Sequence, residues 1–357
     1  MKVLFITTNN VNDINGGARA SERNLECMQD IYGERNVDVL YIPPTENEKR
    51  KWKCYKSSAT KLFTGRVYPP LESFDVNPYR YDLFFFDSSR FGWQIKKLRK
   101  EKGVKVVSFF HNCEADYIAL FSKEKPSIGN RLYLHRIRKN EEFTLRYSDA
   151  CVFINERDLR RSFDIYGVKP NKGEVITMTM KDAYKEISVP ENKNEAPLYT
   201  ILGSYFKPNV DGVKWFVENV LPHVNIKLRI VGKDMHLLQN DINCEGIEVI
   251  SNAPDLAQYM AESDYMLYPV FEGSGMKIKT CEALMWGKNI VGTPEAFSGY
   301  GIEDYTKIGA CCSNADEFIT AINTLNMTRH NEWSRHLFLN YFSYEKSLSQ
   351  YKKLLED

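Results

Sequence analysis

The chain opens on a short apolar run, Lys2-Val3-Leu4-Phe5-Ile6-Thr7-Thr8, closed by polar Asn9-Asn10. Similar runs recur at Val37–Ile42, Leu83–Asp87, Val104–Phe110 and Ala150–Ile154. Several are apolar at nearly every position, the pattern of strands covered on both faces. Between them lie helical patterns at Ala18–Ile31, Phe91–Lys102, Arg131–Tyr147 and Glu156–Tyr166. Strand alternating with helix predicts a doubly wound α/β sheet of parallel strands.

Around 188–197 the pattern breaks. Ser188-Val189-Pro190-Glu191-Asn192-Lys193-Asn194-Glu195-Ala196-Pro197 is polar, Pro-flanked and without apolar period, which is the signature of a linker. The alternation then restarts. Strands are expected at Leu198–Leu202, Ile226–Val231, Ile247–Ile250, Tyr265–Tyr268, Asn289–Gly292 and Lys307–Ala310, with helices near 209–220, 254–262, 277–286 and 314–325. A strandless helical tail covers 330–356. The chain has 357 residues, enough for two domains each burying its own core. The expected organisation is a Rossmann-like domain over 1–190, a second over 197–333, and a tail helix from 334. Ligands of such sheets bind beyond the carboxyl ends of the strands, here in a cleft between the two domains.

Charge changes the picture little. Lys and Arg total 48 against 47 Asp and Glu, a net charge of +1, which argues against nucleic-acid binding by bulk electrostatics. No run approaches the roughly 18 apolar residues of a membrane span. The first run is too short for a signal peptide, and the eight cysteines are scattered with no C-x-x-C, so the expectation is a reducing, cytoplasmic protein without structural zinc. Two basic-aromatic stretches stand out, 49–56 and 131–139. Each is either a solvated face or a surface that meets an anionic membrane headgroup.

Several chemistries are excluded by missing motifs. No G-x-G-x-x-G follows the first strand, no P-loop and no G-x-S-x-G occur, and the six histidines lack metal-binding spacing. What remains is a set of strand-end loops rich in Gly, Ser and Lys. Gly16-Gly17 precedes the first helix, where unpaired N–H groups suit a phosphate or a sugar hydroxyl, or simply make a turn. Gly273-Ser274-Gly275-Met276-Lys277-Ile278-Lys279 lies between a strand and a helix. There the backbone can approach a diphosphate closely, and Lys277 or Lys279 can supply the countercharge. Glu282, about a turn and a half into that helix, is placed to accept from ribose hydroxyls, the bland alternative being a solvated Glu after an ordinary loop.

The segment Phe271–Thr293, reading Phe-Glu-Gly-Ser-Gly-Met-Lys-Ile-Lys-Thr-Cys-Glu-Ala-Leu-Met-Trp-Gly-Lys-Asn-Ile-Val-Gly-Thr, resembles the donor-binding signature of family-four glycosyltransferases of GT-B fold. Leu202–Phe216 is similar to the opening of that family's nucleotide-sugar domain, Arg229-Ile230-Val231-Gly232 to its next strand and glycine, and Ser148–Ile154 to the last strand region of its acceptor domain. The resemblance implies retaining transfer of a sugar from a UDP- or GDP-linked donor to a saccharide or lipid-linked saccharide in envelope polysaccharide synthesis, with no metal or other cofactor. It also implies a tail helix that packs back on the N-terminal domain.

Carried over position by position, the resemblance makes Gly17, Gly203, Lys207, Gly232, Lys233, Ser274, Gly275, Met276, Lys277 and Glu282 donor-binding. Gly16, Asn112 and Glu114 become acceptor-binding, although Asn112, Glu114 and Asp116 could equally cap the next helix. His111, at the end of its strand, matches a histidine facing the transferred sugar. Either Glu272 stands, as a catalytic residue on a longer loop, for the first of two family glutamates, usually separated by seven residues, or that first acid is absent. Here nine intervene, and the ungapped count from Glu282 lands on Ser274. The alternatives are a nucleotide-sugar epimerase of the same fold and a non-catalytic subunit that binds sugar nucleotides.

Overall fold

A computed structural model describes residues 1–10, 16–42, 65–101, 104–124, 127–189, 196–273 and 275–356. The basic stretch at 49–56, Ser274 and most of the linker lie outside these residues. The chain divides into two compact units, Met1–Thr177 with Ser347–Asp357, and Met178–Lys346. The sequence reading puts its divisions near 190, 197 and 334.

In the first unit, β1 (Val3–Thr7), β2 (Val37–Tyr41), β3 (Leu83–Phe86), β4 (Lys105–Phe110), β5 (Ala150–Phe153) and β6 (Gly173–Val175) form a parallel sheet in the order β2-β1-β3-β4-β5-β6. All four β3 side chains are fully buried, and Phe5 of β1 stacks on Phe85 at 5.1 Å. Burial stabilises each such ring by about 1.5–3 kcal/mol, so a four-residue strand of Leu and Phe holds the sheet centre without any polar face. The helices are α1 (Gly16–Tyr32), α2 (Gly92–Glu101), α3 (Glu114–Glu124), α4 (Ile128–Tyr147) and α5 (Glu156–Tyr166). Capping sets the bounds of α5: Asn155 Oδ1 accepts from Asp158 N–H at 2.7 Å, and Gly167 ends the helix in the left-handed region.

In the second unit, β7 (Leu198–Leu202), β8 (Lys227–Gly232), β9 (Ile247–Ser251), β10 (Tyr265–Tyr268), β11 (Asn289–Gly292) and β12 (Gly309–Cys311) order as β12-β11-β10-β7-β8-β9, again parallel. Its helices are α6 (Lys207–Asn219), α7 (Ala257–Glu262), α8 (Ile278–Met285), α9 (Ala315–Thr324) and α10 (Glu332–Leu337). The last helix, α11 (Tyr344–Glu356), begins in this unit and continues into the first.

Three elements differ from the sequence reading. The helix α3 starts at Glu114, where the sequence reads as acceptor-binding or capping residues, and β6, two exposed residues and one partly buried at a sheet edge, has no periodicity to detect. The tail is not one helix. It breaks into α10, a π-turn at Phe338–Phe342 and α11, with Ser343 in an extended conformation paired to Met180. Among the described residues no helix is long and apolar enough to cross a membrane.

Candidate functional site

Parallel sheets bind ligands where the strand order reverses direction. In the second unit that point lies between β7 and β10, and the loops after both strands flank it. The β7 loop, Gly203–Phe206, is fixed by Tyr205 N–H donating to Lys233 C=O at 2.8 Å and by Asn209 Nδ2 donating to Ser204 C=O at 3.0 Å. A Cβ on Gly232 would stand 1.7 Å from Gly203 O, and one on Gly203 would stand 3.0 Å from the Asn209 amide. Close packing of the two strand ends therefore requires the glycine at 232, whatever binds beside it, whereas at 203 a side chain would need only a small shift of the Asn209 amide. Neither α6 nor α8 has a side-chain cap at its N-terminus. In α6 Pro208 brings no N–H and Asn209 N–H donates to Phe206 C=O at 2.8 Å, and in α8 Thr280 N–H donates to Lys277 C=O at 2.9 Å, while the dipole of each helix favours an anion at this end.

The loop after β10 enters α8 through Gly273 and Gly275, the latter in the left-handed region at φ 65°. Tyr268 Oη donates to Lys279 C=O at 2.9 Å and Tyr300 Oη to Lys277 C=O at 2.7 Å, which pins the first turn of α8. The two loop lysines have different fates. Lys277 Nζ lies 2.5 Å from Glu295 Oε1 and 3.3 Å from Gly275 O, so it is latched inside its own loop. Lys279 Nζ donates to Asn209 Oδ1 at 2.9 Å and sits 5.1 Å from the centroid of the Tyr268 ring. It thus links the first turns of α6 and α8, on the two sides of the switch point. Burial, with a smaller push from the Lys277 charge, pulls the Lys279 ammonium down to about 7, against the attraction of Glu282.

The other expected donor residues fall around this core. Glu282 is partly buried in the second turn of α8, close enough for its charge to help raise the Tyr268 hydroxyl. Met276 is buried, with Met178 N–H on its sulfur at 3.4 Å, so its side chain is engaged in packing. Lys207 is exposed and pairs with Asp211 at 2.7 Å along α6, and the Lys233 side chain is exposed. Glu272 is exposed before Gly273. The acid that meets the loop lysine is Glu295, from the segment after β11. Sequence reasoning missed it because only the strand order puts β11 beside β10.

In the first unit the order reverses between β1 and β3, and Asp87 follows β3 at that point. It is fully buried and accepts from Thr7 Oγ1 at 2.8 Å, Asn24 Nδ2 at 2.8 Å and the Ser21 hydroxyl. His111, just beyond β4, brings Nε2 to 3.1 Å from Asp87 O and 3.3 Å from Asp87 Oδ1. Its ring meets Phe109 edge-on at 4.8 Å. Asp87 was read only as a strand end.

Asn112 follows His111 and is partly buried. Glu114 is buried, its carboxylate 3.8 Å from Arg90 Nε, so it is engaged inside the unit rather than offered to an acceptor. Asp116 pairs with Arg161 through two hydrogen bonds. The first turn of α3 is capped from α4: Glu141 accepts from Glu114 N–H at 3.0 Å and Ala115 N–H at 2.9 Å, with Ser89 and Tyr166 hydroxyls completing its shell. Burial pushes the Glu141 carboxyl up to about 7, against the hydrogen bond from Tyr166. Gly16 and Gly17 begin α1, one exposed and one partly so. Among the described residues no group of three or more His, Cys, Asp or Glu is placed to hold a metal ion, and the seven described cysteines are free.

Residues 196–327 match the family described as Glycosyl transferases group 1. No curated protein matches the chain. In structure the chain is similar to HepE of Anabaena in complex with UDP, with a TM-score of 0.63 at 13% identity over 100% of both chains. It is similar to the sucrose-phosphate synthase of Thermosynechococcus elongatus, at 0.71 and 12% identity over 99% of this chain and 98% of that one. A third likeness is to the lipopolysaccharide outer core galactosyltransferase WaaB, at 0.66 and 12% identity over 99% of each. The fold is that of GT-B glycosyltransferases, two Rossmann-like α/β units. The family match falls within the second unit and supports a transferase enzyme.

Proposed function

We propose that the chain transfers a hexosyl group from a nucleotide-sugar donor to a hydroxyl of a saccharide or lipid-linked saccharide, with retention and without a metal. The observation that carries this reading is Lys279, held between the first turns of α6 and α8 at the strand-order reversal of the unit that matches the family. When the bond from the anomeric carbon to the diphosphate breaks, negative charge develops on the leaving phosphate oxygen. Preorganised N–H donors and one ammonium stabilise that charge without reorganisation. The acceptor oxygen then bonds to the anomeric carbon on the face the phosphate leaves, and its proton passes to the departing phosphate oxygen.

Glu282 in the second turn of α8 suits the ribose hydroxyls, and His111 suits the transferred sugar or the attacking hydroxyl. HepE is solved with UDP and with UDP-glucose, which favours a UDP-linked donor. Work on envelope saccharides at the inner face of the cytoplasmic membrane fits the basic face of α4, Arg131 to Lys139, with exposed Leu132.

The test is a screen of nucleotide sugars by thermal shift, since a ligand bound at a concentration of 100 Kd stabilises by about 2.7 kcal/mol. Donors that bind are then assayed with saccharide acceptors, and the anomeric configuration of the product is read by NMR. Turnover with retention supports the proposal. Binding without turnover by any acceptor favours the non-catalytic subunit, and release of an epimerised sugar favours the epimerase.

A further inference from the structure

The carboxylate of Asp87 has both oxygens fully used. Oδ2 accepts from Thr7 and Ser21, and Oδ1 accepts from Asn24 Nδ2 and faces His111 Nε2. Nε2 also faces the Asp87 carbonyl. Neither oxygen can donate, so only an N–H on Nε2 satisfies them. The neutral ring then carries its lone pair on Nδ1. A buried acid that fixes the tautomer of a histidine in this way is how an imidazole is kept ready to accept a proton or hold a hydroxyl.

The same network continues away from the sheet. Asn24 Oδ1 accepts from Tyr351 Oη at 2.8 Å, which orients the amide so that Nδ2 points at Asp87. Tyr351, Asn24 and Asp87 are all fully buried. Tyr351 lies on α11, in the stretch after Ser347 that belongs to the first unit. That stretch is seated by Arg23 Nη1 on Ser347 Oγ at 2.6 Å, Gln350 Nε2 on Val175 O at 3.2 Å, Lys105 Nζ on Leu355 O at 2.8 Å, and the Tyr351 ring edge-on to Phe85. A helix could be held here by apolar contacts alone. The hydroxyl of Tyr351 instead ends a line of hydrogen bonds from the chain's last helix to His111.

We infer that Tyr351 is a positioning residue: through Asn24 it holds the Asp87 carboxylate that receives the Nε2–H of His111, and so fixes the orientation of the ring. The inference rests on the reading of His111 as a residue at the reacting sugar, and the experiment separates the two. The full chain is labelled with 15N-histidine, and the His111 ring signals are identified by their loss in His111→Gln. Wild type is expected to show the Nε2–H tautomer; Tyr351→Phe, which leaves both Asp87 acceptors in place, is expected to keep that tautomer but to shift and broaden the ring signals as the ring loses its fixed orientation. Release of UDP from UDP-glucose is expected to fall about three- to tenfold in kcat, the effect of one neutral hydrogen bond, with KM for the donor unchanged.

Asp87→Asn is the second variant, for the case in which Tyr351→Phe melts abnormally. Its amide can donate to Nε2, so it should mix the tautomers and lower kcat by about 10²–10⁴-fold. Wild-type ring signals in both variants overturn the relay. Lower turnover with unchanged ring signals also overturns it, since α11 would then act only through the fold. Altered ring signals with undiminished turnover uphold the relay and overturn the reading of His111.

Discussion

On the proposed assignment, Lys279 should make nucleotide binding a proton-linked event. In the empty site burial pulls its ammonium down to about 7, with the Lys277 charge adding to the effect. Near neutral pH about half the molecules therefore hold it uncharged. A diphosphate beside Nζ favours the charged form and draws the proton back on. Below pH 7 the cation is already present, so affinity is flat there. Above pH 7 each further unit costs up to about 1.4 kcal/mol until the ammonium of the complex itself titrates.

Between pH 6.5 and 8.5 the expected loss of affinity is about twenty- to thirtyfold, ~2 kcal/mol. UDP-glucose is the better ligand for this measurement, because a terminal phosphate titrates near about 6 and opposes the effect. Calorimetry at pH 7 in buffers of different ionisation enthalpy should show uptake of about half a proton per nucleotide. Lys279→Met should weaken binding at pH 6.5 and abolish the slope. Lys279→Arg, always charged, should bind without a slope. A slope that persists in Lys279→Met, or a flat profile in wild type, refutes the assignment and returns the countercharge to Lys277 or to the exposed Lys207 and Lys233.

Other perturbations test separate parts of the site. Glu282→Ala should raise Kd for the free nucleoside diphosphate about ten- to a hundredfold by calorimetry, the value of a charge-assisted hydrogen bond of roughly 1.5–3 kcal/mol, while the apo melting temperature stays put. His111→Ala should cut kcat by about 10²–10⁴-fold in a donor-turnover assay and leave nucleotide affinity nearly unchanged. Turnover should survive EDTA, and a complete loss restored by Mg²⁺ or Mn²⁺ would show that a metal carries the phosphate charge instead. Glu141, raised from 4.5 to about 7, keeps its proton when the unfolded chain has lost it, so this group's contribution to stability falls as pH rises from about 4.5 to 7. Glu141→Gln should flatten that part of the urea-denaturation profile against pH.

The sheets were legible because their strands are nearly all apolar. Leu83-Phe84-Phe85-Phe86 and Tyr265-Met266-Leu267-Tyr268 are buried on both faces and can be little else in a chain that alternates with helices. What escaped was short or exposed, such as β6, or decided by tertiary packing. The tail reads as one helix because no Gly or Pro interrupts 330–356. It breaks at Ser343 because the strand-like segment at Met180 offers hydrogen bonds there, with Met180 N–H on Phe342 O at 3.1 Å and Tyr344 N–H on Met180 O at 2.9 Å.

The site shows the same division more sharply. Its loops were visible as Gly, Ser and Lys clustered after strands, but a glycine is ambiguous in a sequence. Gly232 satisfies a donor motif and is also required where a Cβ would collide with Gly203 O at 1.7 Å. The lysines were ambiguous too. Lys277 and Lys279 are two residues apart, so near a helix start they point to different sides, and spacing alone gives no reason to prefer one. The choice is made by residues far away in the chain: Glu295 neutralises Lys277, and Asn209 turns Lys279 toward the reversal between β7 and β10. Asp87 is the same case in the first unit. Nothing near it in sequence marks it, and its meaning comes from Thr7, Ser21, Asn24 and His111, supplied by three other elements. In both units the sequence exposes the groups that could do the chemistry, and the fold decides which of them are already spoken for.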